Sequence, residues 1–163
     1  KLDADTPPQG VKIARRNTTM FVQWLFDQSC ETAHWKIGPD IVGPTAKQLG
    51  WVCVRDLASP SASHSMTVQP QDYESYIPDG DPHDNSGIPN RAFYLASSEV
   101  GGRSWERTGR VWYEALLDRR CHPSLSFSEF AALTIEHAVM LFPGEPRVAL
   151  AVARAWTKVK VRF

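Results

Sequence analysis

Cysteine is scarce in this 163-residue chain, occurring only as Cys30, Cys53 and Cys121. No Cys-x-x-Cys pair exists, which excludes a disulfide framework and the common zinc-ribbon spacings, while one disulfide with one thiol left over stays open. Charge of one sign is lacking as well: 18 lysines and arginines face 18 acids. With no global field to gather phosphate backbones or anionic bilayers, a nucleic-acid reading must rest on a local site. Long apolar runs are absent too, since Arg, Glu or Gly interrupts every stretch well short of the ~18–20 residues that cross a bilayer. A soluble chain with no membrane partner is expected, intracellular or secreted. It opens on Lys1 without a signal-like apolar segment, as a processed chain or a piece of a longer one would.

What the chain does have is enough apolar sequence, 42% of its residues, to bury one ordinary core. Residues 1–10 are polar and contain Pro7-Pro8, the pattern of an extended arm, and residues 11–163 are read as a single domain. Ile13, Met20, Phe21, Trp24 and Leu25 recur at helical spacing, so a first core helix is expected from Val11 to about Gln28. Between Gly38 and Asn85 prolines and glycines are too frequent for a long helix or sheet. An irregular region this long is expected to build a site or to be tied down by its own side chains. Trp51, Val52 and Val54 are candidate anchors, and Tyr73 and Tyr76 candidate short helical turns.

Regular helices follow Pro89. Ala92, Phe93, Ala96 and Val100 share one face, and Gly101-Gly102 offers the positive φ on which helices end. Ser104 is expected to open the next helix, which carries Trp105, Val111, Trp112, Ala115 and Leu116. Ser126 and Glu129 have capping-box spacing, so a third helix should run to about Phe142. Pro143-Gly144 breaks it, and Val148, Val152, Ala155, Trp156 and Val159 line a last one. The final residues, 159–163, alternate like a strand but equally fit a frayed end. Trp24, Trp35, Trp105, Trp112 and Trp156 read as core rather than as a ligand cage, because indole supplies large buried area at helix contacts.

The segment His83-Asp84-Asn85-Ser86-Gly87-Ile88-Pro89-Asn90-Arg91-Ala92-Phe93-Tyr94-Leu95-Ala96 resembles the His-x-Asn-Ser-Gly-Ile-x-Asn helix opening of thermolysin-like zinc metallopeptidases, in the form of their protealysin branch. The likeness continues, in order, through Gly109–Leu116, Ser126–Ala131 and Ala151–Trp156, covering roughly Val11 to Val161. It implies a mainly α-helical bundle like the thermolysin C-terminal domain, forming one wall of a cleft, with the irregular region ahead of the His83 helix. The facing wall in that family carries His-Glu-x-x-His, two zinc ligands and a general base, and this chain has no such motif. The family's third zinc ligand comes from an Asn-Glu-x-x-x-Asp pattern on the first helix. Counting back from Gln23-Trp24, that pattern falls on Gly10-Val11 and Arg15, where an alkyl group and a cation replace the two carboxylates. The resemblance therefore implies a domain that does not cut peptides by itself, and no cofactor is expected.

Three other family positions have counterparts. His83 matches the histidine that stabilises the tetrahedral intermediate, Arg55 the arginine that reaches into the same cleft, and Asp79 lies near the acid that orients the histidine, in a loop about four residues shorter than the family pattern. These three are the candidate catalytic residues. His83 reads either as an acid–base group or as a loop histidine that keeps an inherited hydrogen bond. Asp79, Asp81 and His83 form a candidate site for a divalent metal, against the plain reading of acidic turn residues beside Gly and Pro. Arg55, Arg91, Arg103, Arg107 and Arg110, with Tyr73, Tyr76, Trp51 and Trp105, offer phosphate contacts and stacking surfaces. The expected function is a pseudoenzyme, a domain reused to recognise a protein or other macromolecule through the old cleft wall; the alternative is an RNA-acting hydrolase or ribosome-inactivating toxin using His83 and Arg55.

Overall fold

The computed structural model describes Gln23, residues 26–122 and residues 124–163. The expected arm over residues 1–10, the Gly10, Val11 and Arg15 positions, and Ile13, Met20, Phe21, Trp24 and Leu25 all lie outside the described residues. Gln23 is helical and buried, and its carbonyl accepts the Gln28 N–H at 2.9 Å where Asp27, at φ 50°, turns the chain away.

Among the described residues the fold is mainly helical, as expected. A five-residue helix α1 (Pro44–Gln48) and a four-residue helix α2 (Pro82–Asn85) sit in the irregular region. The larger helices are α3 (Gly87–Val100), α4 (Thr108–Leu117), α5 (Phe127–Leu141) and α6 (Pro146–Lys158). Helix α3 lies against α6, α6 against α5, and α5 against α4. Two-residue strands β1 (Lys36–Ile37) and β2 (Arg55–Asp56) pair antiparallel, with Lys36 opposite Asp56 and Ile37 opposite Arg55.

The core forms where the apolar faces of these helices meet. From α3 come Ile88, Ala92, Phe93, Ala96 and Val100, and from α6 Val148, Ala151, Val152, Ala155 and Trp156. Small alanines let the helix axes approach, and the aromatic rings fill what remains. Phe93 meets Trp112 edge-on, and Trp112 stacks on Trp156. The Trp156 indole donates to Thr134 Oγ1 at 2.9 Å, so burying its N–H leaves no unmet donor.

Helix ends follow the side chains. Gly101 at φ 73° closes α3, its N–H bonded to Ser97 O. At the start of α5 the capping box is complete: Glu129 N–H donates to Ser126 Oγ at 3.1 Å, and Ser126 N–H to Glu129 Oε2 at 2.7 Å. Helix α4 begins at Thr108 rather than Ser104, because the Ser104 hydroxyl is spent on Gln23 Oε1 and residues 104–107 form turns. The terminal residues are neither strand nor frayed end. Lys160 takes the left-handed conformation (φ 60°) and Val161 N–H reaches back to Trp156 O at 3.1 Å, a Schellman closure with lysine where glycine is usual.

The irregular region is tied down by residues other than those expected. Val52 is 46% exposed and Trp51 and Val54 are half-buried, whereas Trp35, Val42, Cys53 and Leu57 are buried. Tyr73–Ser75 is a 3-10 turn, and its Tyr73 N–H bonds the Val159 carbonyl at 2.9 Å, pinning the region to the end of α6.

Candidate functional site

Arg55 stands on β2, placed by its pairing with Ile37. The residue is half-buried, its buried Nε has no hydrogen-bond partner, and no ion pair joins Arg55 to any described residue. After β2 the backbone turns sharply, because Asp56 Oδ1 accepts the N–H groups of Ala58 (2.9 Å) and Ser59 (3.0 Å). That turn delivers Pro60, whose carbonyl receives the Gln69 N–H at 2.8 Å.

Gln69 is the joint between this loop and His83. Its buried side-chain amide donates to the His83 carbonyl and to Ser86 Oγ, and Ser86 Oγ donates to the same carbonyl at 2.6 Å. From the other side Asp81 Oδ1 caps α2 by accepting the His83 N–H at 2.7 Å. The His83 backbone is thus held at both its amide and its carbonyl. Its side chain is exposed, and its ring makes no hydrogen bond or ion pair among the described residues. Arg55 and His83 belong to one hydrogen-bonded frame running through Pro60 and Gln69.

Asp79 takes a different place. It is exposed at φ 57° in the turn before α2 and makes no hydrogen bond or ion pair to His83. Its charge falls instead on Tyr76, whose phenol is raised above its ordinary pKa mainly by burial and further by Tyr73 and Asp79. Asp81 Oδ1 accepts the His83 N–H, and among the described residues Asp79, Asp81 and His83 do not bring their ligand atoms together as a metal group would.

Asn85 closes the turn. Its side chain acts as a peptide group would, Oδ1 accepting the Ile77 N–H and Nδ2 donating to the Ile77 carbonyl, each at 2.9 Å. Gly87 then lets α3 begin against the loop: a Cβ there would lie 2.2 Å from the Pro70 carbonyl oxygen.

The expected stacking and phosphate groups are largely occupied. Arg103 pairs with Asp27 at 2.7 Å and lies over the Trp105 ring at 5.7 Å, and Arg107 pairs with Glu145 at 2.9 Å. Tyr73 and Tyr76 stack on one another at 5.4 Å, and both meet Phe127 edge-on. Arg91 donates to Gln71 O and keeps an unpartnered buried Nε.

One constellation escaped the sequence reading. Cys53 Sγ, an Asp56 carboxylate oxygen and a His64 ring nitrogen lie within 4.8 Å of one another. The pattern Cys-x-x-Asp with a histidine eight residues on is short enough to have been a signal, but only the fold shows that the chain returns to bring His64 back.

Comparison with known proteins places this architecture. The family model described as thermolysin metallopeptidase, alpha-helical domain, matches residues 17–161, so Gly10, Val11 and Arg15 lie ahead of the match. An extracellular metalloprotease of Pectobacterium carotovorum subsp. carotovorum is 35% identical over 152 residues, covering 88% of this chain and 42% of that protein. Protease PrtS of Photorhabdus sp. (strain Az29) is 32% identical over 151 residues, 86% of this chain and 39% of that protein. The precursor of protealysin, a metalloproteinase from Serratia proteamaculans, superposes with a TM-score of 0.79 at 32% identity, over 88% of this chain and 46% of that one. The chain spans less than half the length of these relatives. Its helices, the order of its motifs and this superposition make it a member of the thermolysin metallopeptidase family, corresponding to the family's C-terminal α-helical domain.

Proposed function

We propose that this domain binds an extended polypeptide segment along the wall carrying Arg55 and His83, and that it does so without cutting it. The observation behind the binding half is Arg55, a half-buried cation with no carboxylate partner among the described residues. A cation in that position is costly until an oxygen faces it, and peptide carbonyls are oxygens with the right lone pairs. His83 complements it with an exposed ring on an immobilised backbone, a donor or acceptor that gives up no internal bond to meet a ligand.

The donor set on this wall, one imidazole and one guanidinium, does not fit the family's zinc. The 163 residues hold no His-Glu-x-x-His, and Val11 and Arg15 stand at the positions counted for the third ligand and its supporting acid. The RNA-acting alternative is less favoured because Arg103 and Arg107 are already neutralised by acids and the tyrosines are packed on Phe127.

The test is fluorescence anisotropy with a labelled tryptic digest of casein, beside incubation of intact casein and of ribosomes. Saturable binding that weakens roughly ten- to a hundredfold in Arg55→Leu is expected, the loss of about 1.5–3 kcal/mol from a charged hydrogen bond. Casein and ribosomal RNA should stay intact. Casein cleavage lost on chelation and restored by zinc would overturn the non-proteolytic half; RNA fragments or released bases abolished by His83→Ala would replace this reading with the RNA-acting one.

A further inference from the structure

The irregular region between Gly38 and Asn85 contains an arrangement of ligating side chains apart from the Arg55–His83 wall. Cys53 and His64 are carried on two backbone segments locked side by side: Val52 N–H donates to His64 O at 2.8 Å, Met66 N–H to Cys53 O at 3.0 Å, and Cys53 bridges Ser65. Their relative position is therefore fixed by main chain rather than by side-chain chance. Asp56 enters from β2 with Oδ1 already held by two backbone N–H groups, which aims Oδ2 at His64 Nε2, 2.9 Å away, and at Lys36 Nζ, 3.2 Å away. Cys53 is fully buried and Asp56 nearly so, while the His64 side chain is 38% exposed and opens the group to solvent.

We infer that Cys53, Asp56 and His64 bind a divalent cation of the zinc class. A tetrahedral zinc holds sulfur at about 2.3 Å and nitrogen or oxygen at about 2.0–2.1 Å, so its ligand atoms stand roughly 3.3–3.7 Å apart. The three atoms here, all within 4.8 Å of one another and with the nitrogen–oxygen pair at 2.9 Å, reach that spacing by small side-chain rotations. One thiolate, one imidazole and one carboxylate form a borderline-soft set that selects zinc or cobalt over calcium or magnesium. The charges balance: Cys53 releases its proton to solvent, the thiolate and carboxylate together neutralise the dication, and the 30% exposed Lys36 swings off Asp56 into water. The ion would fasten the segment 53–56 to His64 and so staple the loop that supports Arg55 and Gln69. This site shares no residue with the polypeptide-binding wall and does not depend on it.

Cobalt titration of the metal-free 163-residue chain tests it, since a thiolate-to-cobalt charge-transfer band reports sulfur ligation directly. One equivalent of Co²⁺ should raise that band and zinc should erase it. His64→Gln, at an accessible position that leaves the buried groups alone, should weaken cobalt binding at least about tenfold, as loss of a ligand must if loss of mere supporting contacts costs that much. The Cys30→Ser/Cys121→Ser double variant should keep the band. Absence of the band at one equivalent, a weakening below tenfold in His64→Gln, or disappearance of the band in the double variant would overturn the assignment.

Discussion

Trp112 and Trp156 lie ring over ring, their centroids 6.0 Å apart and their planes 6° from parallel, joining α4 to α6 through the middle of the core. Phe130 meets Trp156 edge-on, and Thr134 accepts its indole N–H. Trp156 is the largest fully buried side chain among the described residues, and Trp156→Ala should cost ~3–5 kcal/mol, read as a lower urea midpoint. Thr134→Val, which keeps the shape and strands the indole N–H, should cost ~1–3 kcal/mol.

The start of α5 is set by two side chains that satisfy each other's backbone. Ser126→Ala should lower stability by ~1 kcal/mol, and Ser126→Asp should recover most of it, because aspartate also caps. Equal stability of all three proteins in chemical denaturation would mean that the box is decorative.

Acid should destabilise the fold through carboxylates held below their ordinary range. Asp118 is the strongest case: the Arg120 side chain and backbone N–H hold it down, with His137 Nε2 adding a 3.0 Å bond. Arg120 does the same for Glu136, Arg107 for Glu145, and the Ser126 backbone N–H for Glu129. Each is deprotonated more readily folded than unfolded, so its contribution is complete above the unfolded carboxylate range of roughly pH 4 and is lost as pH falls through the depressed folded values. Urea midpoints should be flat from pH 7 to about 5 and fall steeply below about 4; the acid slope should be shallower in Asp118→Asn.

The thiols should be poorly reactive. Burial, aided by the neighbouring Glu31 charge, pushes Cys30 up to about 11, and Cys53 is fully enclosed, whereas Cys121 is half-buried. Maleimide at neutral pH should modify at most one thiol in the native protein and all three after unfolding. Because folded Cys30 keeps its proton longer than unfolded Cys30, stability should also fall as pH rises from the ordinary thiol range toward about 11.

Gly87→Ala should be harmful although alanine favours helix. The added carbon would meet the Pro70 carbonyl oxygen at 2.2 Å, with Gln69 and Pro60 close behind, so the loop or the helix must move. A loss of ~1–3 kcal/mol is expected, together with weakened casein-peptide binding as the turn holding His83 shifts.

Helix placement was legible because its signals are local. The glycine pair after Val100, the Ser126–Glu129 box and the Pro143-Gly144 break each act within one turn, and each appears where the sequence put it. Ser104 misled because its hydroxyl bonds Gln23, 81 residues earlier, a partner that no local pattern reveals. The last five residues misled for a similar reason: alternating burial of Val159, Lys160 and Val161 reflects a helix closure folded back on Trp156, which mimics the period of a strand.

Side-chain chemistry at the site was less legible. The turn around His83 depends on Gln69 and Asn85, amides serving as substitute backbone, and amides carry no spacing signature. Asp79 and Asp81 look equivalent in sequence; capping geometry alone gives His83 to Asp81. His64 meets Asp56 only because two extended segments run together between Val52 and Thr67.

The two hydrogen bonds between Asn85 and Ile77 turn the residues between them into a closed ring with its two ends fixed to each other. Between Ile77 and Asp81 such a ring can be lengthened without breaking the bonds that join His83 to Gln69 and Ser86. For protein engineering, the tip at Asp79-Gly80 is therefore the natural insertion point for a foreign epitope or a second recognition loop, displayed next to His83 on a scaffold that would not register its arrival.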